Sequence, residues 1–275
     1  MYDLGRRRRG VVRPSPLFLA VLAVTAVGAA IAWFADNWGS RLGDVGVFLF
    51  VLGGWVASVC VHEFAHAYAA FRAGDRSVEA RGYLTLNPFK YTHPFLSIIL
   101  PLVAIVGGGF ALPGGAVYLH PHTFRSRAQR SLAAAAGPLT NVLFAVALIL
   151  LAKSNLPGAF TEFVPVGPTG HVRFWSAIAF LGLLQVTAAV LNLLPVPGLD
   201  GYAIIEPYLD PETVRIGDKI KPWGLLVVIV LLFYLTPVKN AFFDLVNAIY
   251  RVFGVSDVWP AVGHEFFRWW VKSPF

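Results

Sequence analysis

The chain is poor in charge. Asp, Glu, Lys and Arg make up 13% of its 275 residues, about half the usual share of a water-soluble domain. That is too little to cover a water-facing surface of this size, and it excludes a soluble enzyme. The 57% hydrophobic content excludes a disordered or fibrous chain. Cysteine is nearly missing: Cys60 stands alone, so no intrachain disulfide can form and Cys-rich zinc modules are ruled out. What the chain does have is long apolar runs, the mark of an all-α polytopic membrane protein. At ~20 residues per crossing there is room for about six transmembrane helices and little else.

A net charge of +7 raises the question of nucleic acid. The Lys and Arg residues sit in short loops between apolar runs rather than in a stripe. The expected partner is therefore the lipid bilayer, with no nucleic acid. The runs are Leu17–Phe34, Val45–Val61 (continuing as a helix to about Phe71), Phe95–Leu112, Leu132–Ala152, Phe174–Leu194 and Trp223–Thr236. Arg6–Arg9 and Arg13 precede the first run, which suits a signal peptide, but the downstream spans favour an uncleaved anchor. Three units follow: a basic segment over 1–16, an integral-membrane unit over 17–236 with its core at 45–222, and an amphipathic, aromatic tail over 237–275. Within the tail, 241–253 is expected at the membrane interface.

Fifteen of the twenty-two Lys and Arg fall in the amino terminus and in the segments after the second, third and fifth runs. By the positive-inside rule these are cytoplasmic, in the cell membrane. Both segments flanking the third run are then on one side, so a simple crossing there breaks the parity. The sequence instead implies a re-entrant loop with a short β element near residues 94–120, its return limb being Pro113–Leu119. Strand backbone cannot face lipid, so this limb must line a cavity.

The second run ends in His62-Glu63-Phe64-Ala65-His66. Four residues make about one helical turn, so both imidazoles reach one ion and Glu63 lies beside it. This is the HExxH arrangement of a zinc hydrolase, with His62 and His66 as metal ligands and Glu63 as the catalytic base. Two His and a Glu in an apolar helix are costly unless they have a function. A near-copy at His264-Glu265-Phe266-Phe267-Arg268 ends in Arg, which cannot ligate zinc, and reads as interfacial anchoring.

A catalytic zinc needs a third protein ligand. Asp200 follows the fifth run in Asn192-Leu193-Leu194-Pro195-Val196-Pro197-Gly198-Leu199-Asp200-Gly201. The prolines end the helix, and the glycines permit a turn that aims a carboxylate back toward the bilayer. A solvated Asp at an ordinary helix end fits the same residues. His120 and His122, Glu206 and Asp210 read as solvent-facing, the lone His93 and His171 have no spacing that points to a metal, and Cys60 reads as packed. Asn141 and Asn192 have two readings each: a bond between helices, or contact with a substrate backbone or developing oxyanion. Gln185 reads as interhelical.

The chain resembles the site-2 protease family of intramembrane zinc metalloproteases. The matching stretches are HEFAH (62–66), AAGPLTN (135–141) and NLLPVPGLDG (192–201), in that order. The short bacterial branch is matched by Gly74-Asp75, Gly82–Pro88 and Pro113–Val117, and no stretch is long enough for a PDZ or CBS domain. The chain departs from that branch after Pro88: Tyr91 and His93 stand where a His and an Asp are often found. The resemblance implies one Zn2+ per chain, held by His62, His66 and Asp200 toward the cytoplasmic side, with Glu63 as general base. It implies cleavage within or near transmembrane segments of a membrane protein, or of a leftover signal peptide. A helical substrate must unwind first, and Gly115–Leu119 offers strand pairing to the extended segment. The alternatives are a non-enzymatic channel or transporter and an inactive metal-binding pseudoprotease.

Overall fold

The computed structural model describes residues 12–36, 39–91, 100–108, 123–156 and 170–271. Among these residues it is helical, with no strand. Helix α1 (Pro16–Phe34) starts where the Ser15 hydroxyl caps Phe18 N–H at 3.1 Å and Pro16 takes the first turn. Helix α2 (Arg41–Ala73) is capped by Ser40, ends at Gly74 and carries the HExxH segment. The two helices touch through glycine: a Cβ on Gly28 or Gly46 would run into the backbone of the other helix. Small residues of this kind let helices approach closely in a bilayer, where burial from water no longer drives association.

Helix α3 (Ser77–Ala80) follows, then α4 (Leu100–Gly108), α5 (Arg127–Lys153) and α6 (Val172–Asn192). Among the described residues, four helices are long and apolar enough to cross a membrane: α1, α2, α5 and α6. In α6, 78% of the most apolar window is buried, against 17% in α1, so α6 is the central post and α1 sits at the edge. Helix α7 (Asp200–Ile205) is short, and α8 (Pro211–Tyr234) and α9 (Thr236–Val252) meet at 97°. Counted as one broken span, that pair gives a fifth crossing among the described residues, and half of the third apolar run, Phe95–Leu112, lies outside them.

The structure bears on the parity conflict. A Cβ on Gly74 would lie 3.1 Å from the Thr123 carbonyl oxygen, so the end of α2 and the approach to α5 share one face. The described part of helix α4 is nine residues long, about 14 Å of rise. Its Ile105 is buried against residues of α2 and α6. The rest of the expected re-entrant stretch, including Pro113–Leu119, lies outside the described residues, as do His93, His120 and His122.

One expectation changes. Helix α8 begins at Pro211 rather than Trp223, taking in Arg215, Lys219 and Lys221. Asp210 caps it, accepting from Glu212 and Thr213 N–H and from the Thr213 hydroxyl, and these donors hold its carboxyl below the ordinary value. The carboxy-terminal stretch packs one face onto the other helices and leaves Leu245, Val252, Trp269 and Trp270 exposed. Phe242, Val246 and Tyr250 of α9 are buried, and the Tyr250 hydroxyl donates to Ala179 O of α6 at 3.4 Å. Helix α10 (Val258–Phe267) buries Trp259 and Phe267, the latter against Phe48 and Phe180, so the HEFFR near-copy is packed onto α2 and α6.

Candidate metal centre

Helix α2 delivers His62 and His66 from the same face, one turn apart, and both are buried. Their Nε2 atoms face each other at 3.1 Å. Asp200 enters from α7, with its Oδ2 3.2 Å from His62 Nε2 and its Oδ1 3.4 Å from His66 Nε2. The turn that brings it there depends on Gly198, at φ +102°, where a Cβ would also strike the Lys221 carbonyl. Donors from two distant parts of the chain, His62 and His66 on one helix and Asp200 on another, are thereby gathered within 4.8 Å of one another.

The donor chemistry fits a metal. Tetrahedral ligands 2.0–2.1 Å from zinc stand about 3.3 Å apart, and the three separations here are 3.1, 3.2 and 3.4 Å. Each histidine has its far nitrogen occupied. His62 Nδ1 lies 2.6 Å from Asn141 Oδ1, and His66 Nδ1 lies 2.7 Å from Ala133 O. An amide or carbonyl oxygen only accepts, so the protons sit on Nδ1 and both Nε2 lone pairs point into the site. Gly137 of α5 keeps that place open, because a Cβ there would run into Nε2 of both histidines.

Glu63 is 1% exposed. Its Oε1 is 4.0 Å from His62 Nε2, and its Oε2 is buried without a hydrogen-bond partner. An unpartnered carboxylate oxygen in an apolar interior is expensive and must receive a proton or a donor in the working protein. It sits one residue from a metal ligand, where such a donor would be a water.

Asn141 makes the bond between helices that one of its two readings gives. Its Oδ1 faces His62, and its Nδ2 donates to Gln185 Oε1 of α6 at 2.8 Å, so both ends of the amide are taken by protein. Asn192 is buried at the end of α6 and makes no side-chain hydrogen bond to a described residue. Cys60 is fully buried on the other side of α2, where its carbonyl accepts from Tyr91 Oη at 2.9 Å.

Glu206 is a correction. It is not solvated: it is 6% exposed and paired with Arg130 of α5, with Lys221 Nζ at 4.0 Å. Ser131 Oγ donates to Ile204 O at 2.6 Å beside it. These contacts fasten α7, and so Asp200, to the start of α5. The missed signal was the Arg130-Ser131 pair opening an otherwise apolar helix. His171 is also bound, with Nδ1 2.7 Å from Trp33 O and its ring stacked on that indole at 3.6 Å.

Comparison with known proteins agrees with the arrangement. The family model for peptidase family M50 matches residues 48–235. The chain is 51% identical over 266 residues to the candidate zinc metalloprotease Rip2 of Mycolicibacterium smegmatis, covering 96% of this chain and 97% of that one. It is 46% identical over 271 residues to the protein of the same name from Mycobacterium tuberculosis strain H37Rv, covering 98% of each. It is 33% identical over 187 residues to the candidate zinc metalloprotease YwhC of Bacillus subtilis, covering 67% of this chain and 80% of that one. No solved structure matches. The match spans most of the chain and contains every residue of the donor cluster, and the chain belongs to peptidase family M50.

Proposed function

We propose that this chain is an intramembrane zinc metalloprotease in which His62, His66 and Asp200 hold one zinc ion and Glu63 is the general base. The observation that carries this reading is the donor triangle itself: two Nε2 atoms and a carboxylate at tetrahedral spacing, with a buried carboxylate oxygen beside it that lacks a partner. Zinc held by His62, His66 and Asp200 would supply Lewis-acid chemistry: polarisation of a peptide carbonyl and a lowered pKa for a neighbouring water. Glu63 takes the proton from that water and passes it to the leaving amine. Asn141 and Ala133 hold the two imidazoles in the ligating tautomer. Asn192, buried at the end of α6, would meet the backbone of the substrate.

The substrate is a membrane protein within the bilayer, either a single-span protein cut in or near its span or a leftover signal peptide. The amino terminus is cytoplasmic, in the cell membrane. The shared face of Gly74 and Thr123, flanked by Arg72, Arg76, Arg125 and Arg127, supports that orientation. His62, His66 and Asp200 then lie toward the cytoplasm. A channel or transporter would use the same polar residues for ions, but it gives no reason for an Nε2–Nε2–carboxylate triangle.

The test is cleavage of a transmembrane substrate in reconstituted vesicles by the wild-type chain and by Glu63→Ala. Wild type cuts and Glu63→Ala does not. Equal cleavage by the two would remove Glu63 from the mechanism, and no cleavage by zinc-loaded wild type on a panel of single-span substrates would favour the pseudoprotease.

A further inference from the structure

We infer that a chain of hydrogen bonds reaching from α2 through α6 and α5 back to α2 sets which nitrogen of His62 binds the metal, and that Gln185 and Ser58 are positioning residues for the centre. This rests on the metal site proposed above and extends it to residues that touch neither metal nor substrate.

The path begins at a backbone carbonyl. Trp55 O accepts from Ser58 Oγ at 2.8 Å. Ser58 Oγ accepts from Gln185 Nε2 at 2.9 Å, Gln185 Oε1 accepts from Asn141 Nδ2 at 2.8 Å, and Asn141 Oδ1 stands 2.6 Å from His62 Nδ1. All four side chains are buried, with Gln185 at 0% exposure and Asn141 at 2%.

The direction of this path is forced. Each amide could in principle be turned over, exchanging its oxygen and nitrogen. Trp55 O, however, has no proton to give. The Ser58 hydroxyl must donate to it, which leaves Ser58 Oγ as an acceptor for Gln185. Gln185 must then point its NH2 at Ser58 and its oxygen at Asn141. Asn141 must point its NH2 at Gln185 and its oxygen at His62. An oxygen there receives a proton from Nδ1, so the His62 lone pair lies on Nε2, facing His66 and Asp200. A single fixed acceptor, 2.8 Å from the first hydroxyl, thus decides the tautomer of a histidine three side chains away. His66 needs no such relay, because Ala133 O performs the same task directly.

Each side chain has a role that a plain packing residue would not fill. Leucine has roughly the volume of Gln185 but carries no donor or acceptor, so it leaves the Asn141 NH2 without its acceptor and the Ser58 oxygen without its donor. The Asn141 amide is then free to turn its NH2 toward His62, which favours the proton on Nε2 and removes a ligand.

The test uses the purified full chain and measures zinc affinity by competition with a chelator, alongside melting temperature. Gln185→Leu and Ser58→Ala bind zinc about 10- to 100-fold more weakly than wild type. Ser58→Thr, which keeps the hydroxyl, binds within a few-fold of wild type. Leu184→Ala opens a cavity beside Gln185 without touching the path; it lowers the melting temperature and leaves zinc affinity within about twofold. The inference is overturned if Gln185→Leu or Ser58→Ala holds zinc as wild type does while Asp200→Ala releases it. It is equally overturned if Leu184→Ala weakens zinc as much as Gln185→Leu for the same fall in melting temperature. A wild-type chain that takes up no zinc overturns the metal site itself, which is a different result from either.

Discussion

Replacing Gly137 by alanine adds one methyl group at the most sensitive place in the molecule. The new Cβ would stand 2.6 Å from His62 Nε2 and 2.7 Å from His62 Cε1, and closer still to His66 Nε2. Ordinary contact begins near 3.4 Å, so His62 must withdraw by about 0.8 Å and His66 by more, or α5 must move away by the larger amount. A metal centre tolerates errors of about ±0.2 Å in its ligand distances. The methyl also occupies the side from which both lone pairs are reached. Overpacking of this kind costs about 1–3 kcal/mol, so the chain still folds. Zinc affinity falls by about 100-fold or more, the scale expected of a misplacement near 1 Å. The assay is metal content after purification, together with cleavage of a transmembrane substrate. Gly182→Ala is the control: its Cβ meets Ile149 Cγ1 at 3.2 Å on the α5–α6 interface, away from the donors. Gly137→Ala with a full complement of zinc and wild-type cleavage would refute the reasoning.

Glu63→Gln keeps zinc and lowers the cleavage rate by at least about 100-fold, because the amide cannot accept the proton; a rate within tenfold of wild type would assign the base elsewhere. Arg130→Met leaves Glu206 buried without its main partner. It costs about 2 kcal/mol, less than the 3–5 kcal/mol of a fully buried pair because the Arg130 side chain is 30% exposed. Chemical denaturation in detergent measures this, and an unchanged midpoint would show the pair to be idle. Tyr91→Phe removes the bond to Cys60 O, costs about 1 kcal/mol and leaves zinc content unchanged; loss of zinc would give Tyr91 a direct part in the centre. His264 is held below its usual 6.5 by burial and by Arg268, and its Nε2 is buried without a partner. A lowered pKa means the unfolded chain binds the proton more readily, so this stabilisation is full above about 6.5 and declines as the pH falls. The melting temperature therefore drops between pH 7.5 and 5.5, and it drops less in His264→Phe; equal drops in the two would place the acid sensitivity elsewhere.

The chemistry of the centre was legible in the sequence wherever helical spacing fixes geometry. His62 and His66 share a face because four residues make one turn, and Asp200 returns to them because Gly198 adopts a positive φ that the Pro/Gly motif advertised. The long apolar helices were legible for the same reason, since their composition leaves few other places for them. What could not be read was anything that depends on which helices are neighbours. Glu206 looks solvated beside Pro207 until Arg130, seventy-six positions away, is placed against it. Asn141 and Gln185 each read as a helix–helix bond, but only the folded arrangement joins them into one path ending at His62. Helix α8 was cut short in the sequence reading because its first half is charged and contains Pro222, although the Asp210-Pro211 pair is a regular helix start. The aromatic tail suggested an interface but not that Trp259 and Phe267 are buried inside the protein.

The central claim is that four ionisable residues in an otherwise apolar protein form one zinc centre. X-ray absorption at the zinc edge, on wild type and Asp200→Ala purified with bound metal, tests it most directly. The account predicts one zinc per wild-type chain, with two imidazole nitrogens and carboxylate oxygen at about 2.0–2.2 Å, and loss of the carboxylate contribution or of the metal in Asp200→Ala. A sulfur ligand, which only Cys60 or Met1 could supply, or an identical spectrum and metal content in the two proteins, would contradict it.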